Sequence, residues 1–209
     1  MTESQAVVLV VDDDLKVRTA LTQLLEDNGY QVRSFSSAEE FLKIDDRPAI
    51  GCLLLDLRLP GLDGLELQKR IGAEAKTLPI VFISGDGDVP TTARAMKRGA
   101  VDFLTKPPGK QELLEAVGLA MEQSRKTRER ERELTMLRKR LATLSSRQTE
   151  VLHLVLTGML NKQVAAELGI TEKTVKFHRG QVMKKLRVGS VAELVRLSER
   201  AGLFTPSGS

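Results

Sequence analysis

Five short strand-like segments alternate with helix-patterned segments through the first half of this chain, and no other feature restricts its fold so strongly. Ala6–Val11, Gln31–Phe35, Gly51–Leu55, Pro79–Ile83 and Val101–Thr105 are too short for buried helices and read as strands. Between them lie Leu15–Asn28, stopped by Gly29; Ala38–Ile44; Gly64–Ile71; Thr91–Arg98, stopped by Gly99; and a segment that starts near Lys110. Strands that alternate one for one with helices are expected to run parallel, because a parallel pair needs a crossover and a helix supplies it. The predicted fold class for this half is α/β, a doubly wound five-stranded parallel sheet.

The segment from Lys110 to Leu144 contains no proline and only one glycine, Gly118, so the last helix is expected to run on as a long linker. Its middle, EQSRKTRERERE, has no apolar stripe and reads as a solvated helix held by pairs such as Glu122–Lys126. Leu134, Leu137, Leu141 and Leu144 then return at 3-4-3 spacing, which fits either a short coiled-coil seam or an unpaired linker. Beyond Leu144 the pattern is wholly helical. Ser145 or Ser146 caps one helix, Asn161–Leu168 is a second, Thr171–Leu186 a third capped by Thr171, and a fourth runs from Ser190 to Gly202 before the FTPSGS tail. The expected domains are 1–120, a linker at 121–142, and a small all-α domain at 143–209.

Charge separates the halves. Residues 1–118 carry 14 Lys/Arg against 19 Asp/Glu, whereas residues 119–209 carry 18 against 9. Only the second half is suited to a polyanion. Cys52 is the single cysteine, which excludes a disulfide scaffold or multi-cysteine metal site and fits a reducing, cytoplasmic setting. No run approaches the roughly 18 apolar residues of a membrane span, and the N-terminus lacks the basic region and cleavage site of a signal peptide.

In an open parallel sheet, ligands bind at the carboxyl ends of the strands. Asp12 and Asp13 follow the first strand, Asp56 the third, Ser84 the fourth and Lys106 the fifth. Clustered carboxylates repel one another unless a cation intervenes, and hard oxygen ligands suit Mg²⁺. Asp56 is placed to act as a nucleophile toward phosphorus, forming an acyl phosphate, with the metal and Lys106 offsetting charge and Ser84 donating a hydrogen bond. Singly, each group has a plainer reading. Asp13 or Asp14 can cap the next helix, Asp56 can start a turn, and Lys106 can be a loop lysine. All the matching strand ends together make that set of coincidences improbable.

The segments VVDDD, LLLDLRLPGLDG, VFISGDGDVP and GAVDFLTKPP, in this order and spacing, resemble the receiver domain of bacterial two-component response regulators over about residues 6–120. The resemblance implies a flavodoxin-like fold in which Asp56 accepts a phosphoryl group from a histidine kinase. It further implies that Asp13, Asp56 and the backbone carbonyl of Arg58 bind Mg²⁺, with Asp12 helping through water. Ser84 and Phe103 would form the switch pair, Lys106 would hold the phosphoryl group, and Lys106–Pro107 would be cis. Two positions depart from the commoner pattern. The aromatic switch site is Phe103 rather than Tyr, so its inward state would rest on packing alone, and Pro108 stands where Phe often follows the Lys-Pro pair. Arg58 and Asp86, each two residues past a key group, could flank the phosphoryl group.

In the basic half, a short helix, a Gly169-Ile170 turn and a longer capped helix make a helix-turn-helix pattern. Val164, Leu168, Ile170, Val175, Val182 and Leu186 read as its core, with Ala165 and Ala166 at a close crossing. Helical spacing puts Lys173, Phe177, Gly180 and Lys184 on the opposite face, with Lys176 and Arg179 beside them. These basic residues can reach phosphates or guanine edges, and Phe177 a thymine methyl. Gly180 costs about 1 kcal/mol of helix propensity, which a close approach to DNA would explain. His178 lies on the buried stripe as a satisfied, half-buried histidine, with a phosphate contact open to its edge. Thr174, Asn161 and Lys162 complete the candidate DNA-binding set. The residues LSSRQTEVLHLVLTGMLNKQVAAELGITEKTVKFHRGQVMKKL resemble the LuxR-type (NarL/FixJ) DNA-binding domain over about 143–205. Position 180 often carries a larger residue in relatives, so base preference does not transfer.

Together the two resemblances imply a FixJ-type response regulator. It would be a transcription factor rather than an enzyme, expected to be an activator, controlled by phosphorylation of Asp56. It would dimerise when phosphorylated and bind double-stranded DNA, with RNA polymerase a candidate further partner. A strand-end-aspartate phosphohydrolase is the rival chemistry, but it wants a second Asp where Arg58 stands. A DNA-binding protein indifferent to phosphorylation is the other alternative.

Overall fold

The computed structural model describes residues 6–44, 48, 50–72, 77–85 and 89–200, except for the side chain of Arg200. The chain divides into two compact units, residues 1–129 and 130–209.

The first unit is built on strands β1 (Val7–Val11), β2 (Gln31–Phe35), β3 (Gly51–Asp56), β4 (Ile80–Ser84) and β5 (Asp102–Thr105). All pairs are parallel, in the order β2-β1-β3-β4-β5. Helices α1 (Leu15–Glu26), α2 (Ala38–Leu42), α3 (Gly64–Ile71), α4 (Val89–Lys97) and α5 (Lys110–Leu141) follow the strands in turn. The central strands are apolar on both faces because both are covered. Leu9, Val11, Leu53, Leu55, Ile80 and Phe82 pack with Phe41, Leu67 and Ala95 on one side. Val8, Val10, Cys52, Leu54, Val81 and Ile83 pack with Leu25, Leu113 and Val117 on the other. Side-chain alternation along each strand produces this division.

Local sequence fixes the helix starts. Asp14 caps α1 by accepting from the backbone N–H of Lys16 and Val17, and Asp63 caps α3 by accepting from that of Glu66 at 2.7 Å. Gly64 is demanded by crowding. A Cβ there would lie 2.5 Å from the Asp56 carbonyl oxygen and 3.0 Å from Leu57 Cα.

The polar stretch of α5 is less uniform than its sequence suggests. The Glu122–Lys126 pair forms at 3.3 Å, but Ser124 is fully buried rather than solvated. Its hydroxyl donates to the Thr77 carbonyl at 2.8 Å and accepts from the Gly51 N–H at 3.2 Å. One hydroxyl thus satisfies two backbone groups beside the amino end of the sheet.

The second unit holds the end of α5 with α6 (Ser146–Leu156), α7 (Asn161–Leu168), α8 (Glu172–Leu186) and α9 (Val191–Arg200). Gly202 and the FTPSGS segment lie outside the described residues. Ser145 and Gln148 form a reciprocal capping box at α6, Thr171 caps α8, and Ser190 accepts from the Glu193 N–H. The turn between α7 and α8 uses Gly169 at φ 63°, where a side chain would be strained. α8 ends at Arg187, the one non-glycine residue with positive φ among the described residues. Three of the four leucines at the suspected seam pack inside this unit. Leu137 is buried in the core of this unit with Val151, Val155, Val164, Val175 and Leu186, and Leu141 and Leu144 pack against it. Leu137 and Leu141 share a face of α5 turned to this core, while Leu144 lies past the end of the helix, and sequence alone cannot distinguish such a face from a coiled-coil seam. Ala165 is buried at the helix crossing, but Ala166 is exposed.

Candidate functional sites: an acidic pocket and a basic helix

The β1 and β3 chains leave the sheet in opposite directions, and the crevice at their carboxyl ends gathers the predicted groups. Lys106, just past β5, places its Nζ 2.5 Å from Asp12 Oδ2 and 2.6 Å from Asp56 Oδ2. Asp12 and Asp56 are buried and Asp13 is exposed. The second oxygen of each buried carboxylate is held by the backbone: Asp14 N–H donates to Asp12 Oδ1 at 2.9 Å, and Arg58 N–H donates to Asp56 Oδ1 at 3.0 Å. Asp56 therefore does start a turn, as the plainer reading held, and it also faces the ammonium. Ser84 is buried at the end of β4, where its carbonyl accepts from the Lys106 N–H. Lys106–Pro107 is cis.

Burial pushes the Asp12 carboxyl above its usual range, although the Lys106 ammonium and the Asp14 N–H oppose the shift. Burial also works against the Lys106 ammonium, but its bonds to Asp12 and Asp56 outweigh that cost and hold its pKa above the ordinary value. Asp12, Asp13 and Asp56 offer ligand oxygens within 4.8 Å of one another. One ammonium among three carboxylates leaves negative charge over, and the donors are all hard oxygens. The set therefore fits a divalent cation such as Mg²⁺.

The other predicted groups surround this centre. Phe103 is half-buried and its ring stacks on Phe82, with centroids 6.2 Å apart and planes at 29°, which is packing without a polar contact. Arg58 is exposed at the rim, and Asp86 lies outside the described residues. A Cβ on Gly85 would meet nothing within 4 Å among the described residues. Two contributors escaped sequence reasoning. Gly64 lets α3 begin against the Asp56 backbone. Arg18 Nη1 donates to the Asp12 carbonyl at 2.7 Å, tying the β1–α1 loop to α1. An acidic loop followed by an arginine one turn into the helix hints at Arg18, but its reach is set by rotamers that the sequence does not encode.

In the second unit, Lys173, Lys176, Phe177, Gly180 and Lys184 lie on the exposed face of α8, while Val175, Val182 and Leu186 are buried. Phe177 is 61% exposed, the one aromatic ring among the large apolar side chains left exposed in the described residues. A Cβ on Gly180 would meet nothing within 4 Å, so no packing inside the protein requires glycine there. Thr174 takes part in the α8 cap, its hydroxyl 2.9 Å from that of Thr171. His178 is half-buried as expected but not satisfied. Its Nδ1 is enclosed without a hydrogen-bond partner among the described residues, and its ring meets Phe177 edge-on. Arg179 and Asn161 are bonded to each other, Nη1 to Oδ1 at 2.9 Å, and Lys162 is exposed beside them.

Comparison with known proteins finds a separate family match for each half of the chain. Residues 8–118 match the response regulator receiver domain family, and residues 142–198 match the bacterial regulatory proteins of the luxR family. The chain is 50% identical to nodulation protein W of Bradyrhizobium diazoefficiens over 96% of its own length and 88% of that protein's. It is 39% identical to the transcriptional regulatory protein FixJ of the same organism, over 94% of this chain and 96% of FixJ. Among solved structures, the response regulator StyR matches with a TM-score of 0.80 and 43% identity, covering 94% of this chain and 99% of StyR. Full-length FixJ from B. japonicum matches with a TM-score of 0.57 and 37% identity, covering 97% of this chain and all of that one. The chain therefore belongs to the response regulators that join a receiver domain to a LuxR-type DNA-binding domain, transcriptional regulators and not enzymes.

Proposed function

We propose that Asp56 is the phosphoacceptor and that its phosphorylation by a histidine kinase controls DNA binding by α8. The observation that carries this reading is the ammonium of Lys106, shared between Asp12 and Asp56 at the strand ends. An oxygen of Asp56 attacks the phosphorus of a phosphohistidine; the P–N bond breaks, its electron pair returns to the imidazole, and an acyl phosphate forms. Asp12, Asp13, Asp56 and the carbonyl of Arg58 would hold Mg²⁺, which when bound neutralises charge on the phosphoryl oxygens. Lys106 moves its bond from the carboxylate to a phosphoryl oxygen, and Ser84 donates a hydrogen bond to another. Phe103 turns inward on packing alone, which reshapes the α4–β5–α5 surface and favours a receiver dimer.

That dimer presents two α8 helices to two half-sites of double-stranded DNA. Lys173, Lys176 and Lys184 supply charge, Phe177 and Gly180 make the close approach, and Asn161, Lys162, Thr174, His178 and Arg179 flank them. Activation through RNA polymerase belongs to the same proposal, as does a cytoplasmic location. No described helix is long and apolar enough to cross a membrane. The test is labelling with radioactive acetyl phosphate and Mg²⁺. The wild-type chain takes up label and Asp56→Asn does not; label retained by that variant at the same site would overturn the assignment.

A further inference from the structure

The bond between Arg179 and Asn161 gives these two residues different roles, and the inference rests on the DNA-binding reading above. Arg179 belongs to α8 but not to its most exposed line. At roughly 100° per residue it sits about 100° back from Gly180 and about 40° from the buried Val175 position. It is half-buried, and its Nη1 donates sideways to Asn161 Oδ1, the first residue of α7. Among the described residues no carboxylate pairs with it. Arg147 on α6 makes a useful contrast, because its guanidinium meets Glu150 at 2.7 Å. A neutral amide oxygen fixes a guanidinium without cancelling its charge, and four of the five N–H donors stay available. An arginine ordered in advance loses less rotamer entropy when it binds an anion.

We infer that Arg179 is a backbone-phosphate contact rather than a base reader, and that Asn161 is its positioning residue. Base reading then falls to the line through Lys173, Lys176, Phe177 and Gly180. An arginine held at the flank of the helix, against the start of α7, is displaced from the base edges but well placed for the strand that borders the groove. Fixing it also sets how deeply α8 sits, so the pair contributes register as well as affinity.

The experiment uses the full-length chain treated with acetyl phosphate and Mg²⁺. Two probes are compared, a duplex selected by this chain from a random pool and a scrambled duplex of the same length. Affinities are measured over a range of salt for wild type, Asn161→Ala, Arg179→Ala and the double variant, each checked for an unchanged circular dichroism spectrum. Arg179→Ala is expected to weaken both duplexes by the same factor and to lower the slope of log affinity against log salt by about 1. Asn161→Ala should weaken both several-fold with most of the slope retained, because the charge is still present. The double variant should match Arg179→Ala, since Asn161 acts through Arg179. A changed base preference in Arg179→Ala at unchanged slope would overturn the inference, as would losses that add in the double variant. No salt-dependent binding by the wild-type chain would instead strike the DNA-binding reading itself.

Discussion

The two units handle charge in opposite ways. In the first, buried Asp12 and Asp56 share the half-buried ammonium of Lys106, and the backbone of Asp14 and Arg58 takes their remaining oxygens. In the second, Lys173, Lys176 and Lys184 stand exposed. A buried charge cluster is a device for one defined chemical event, because any added charge must displace a bond already made. An exposed basic face is a device for graded, salt-sensitive attraction to a polyanion. The first site should therefore be intolerant of small geometric change, while the second should tolerate it in stability and register it in affinity.

The largest effect is expected from Gly64→Ala. The added methyl would meet the Asp56 carbonyl oxygen at 2.5 Å, so the backbone that carries the acceptor must shift. Overpacking against backbone should cost about 3 kcal/mol in urea unfolding and slow labelling by acetyl phosphate. A Gly64→Ala chain with wild-type stability and labelling would mean that the pocket is more pliable than this comparison allows. Lys106→Met comes next. It leaves Asp12 and Asp56 without their ammonium, which should destabilise the first unit by on the order of 1–3 kcal/mol without metal and by less in millimolar Mg²⁺. Equal losses with and without Mg²⁺ would show that the carboxylates do not need a cation between them.

Much of this was legible in the sequence because it is local or periodic. Five short segments between helix patterns gave the strands, and the polar residue at or just past the end of four of them gave Asp12, Asp56, Ser84 and Lys106. What escaped was set by geometry across the fold. Ser124 looks like any serine in a charged helix, and only packing against the amino ends of β3 and β4 reveals a buried hydroxyl satisfying two backbone groups. Leu137 and Leu141 fit a coiled coil as well as a small domain's own core. His178 was read correctly as half-buried, but its Nδ1 has no hydrogen-bond partner among the described residues, which spacing along the helix does not reveal.

The second unit can be probed with a substitution of opposite sign. Gly180→Ala has open space for its methyl within the protein, so it should raise helix stability by about 1 kcal/mol. If the glycine serves a close approach to DNA, the same change should weaken duplex binding by roughly tenfold, or 1.4 kcal/mol. Greater stability with undiminished affinity would remove Gly180 from the interface.

The smallest effect separates buried from exposed charge within the first unit. Glu40 is exposed, and both the N–H and the hydroxyl of Ser36 donate to its Oε2, at 2.7 and 2.8 Å. Those two bonds hold its carboxyl below the ordinary value of 4.5. With the folded pKa depressed, the unfolded chain binds more protons in the window between the two values, so stability rises with pH there. The contribution is complete above about pH 4.5 and is lost as pH falls through the folded pKa. Glu40→Gln keeps the shape but cannot ionise, so its stability deficit should be full near neutrality and fade in acid. Solvent screening limits it to a few tenths of a kcal/mol. A deficit that stays constant from neutral into acid would show that the bonds to Ser36 favour the carboxylate no more than the carboxylic acid.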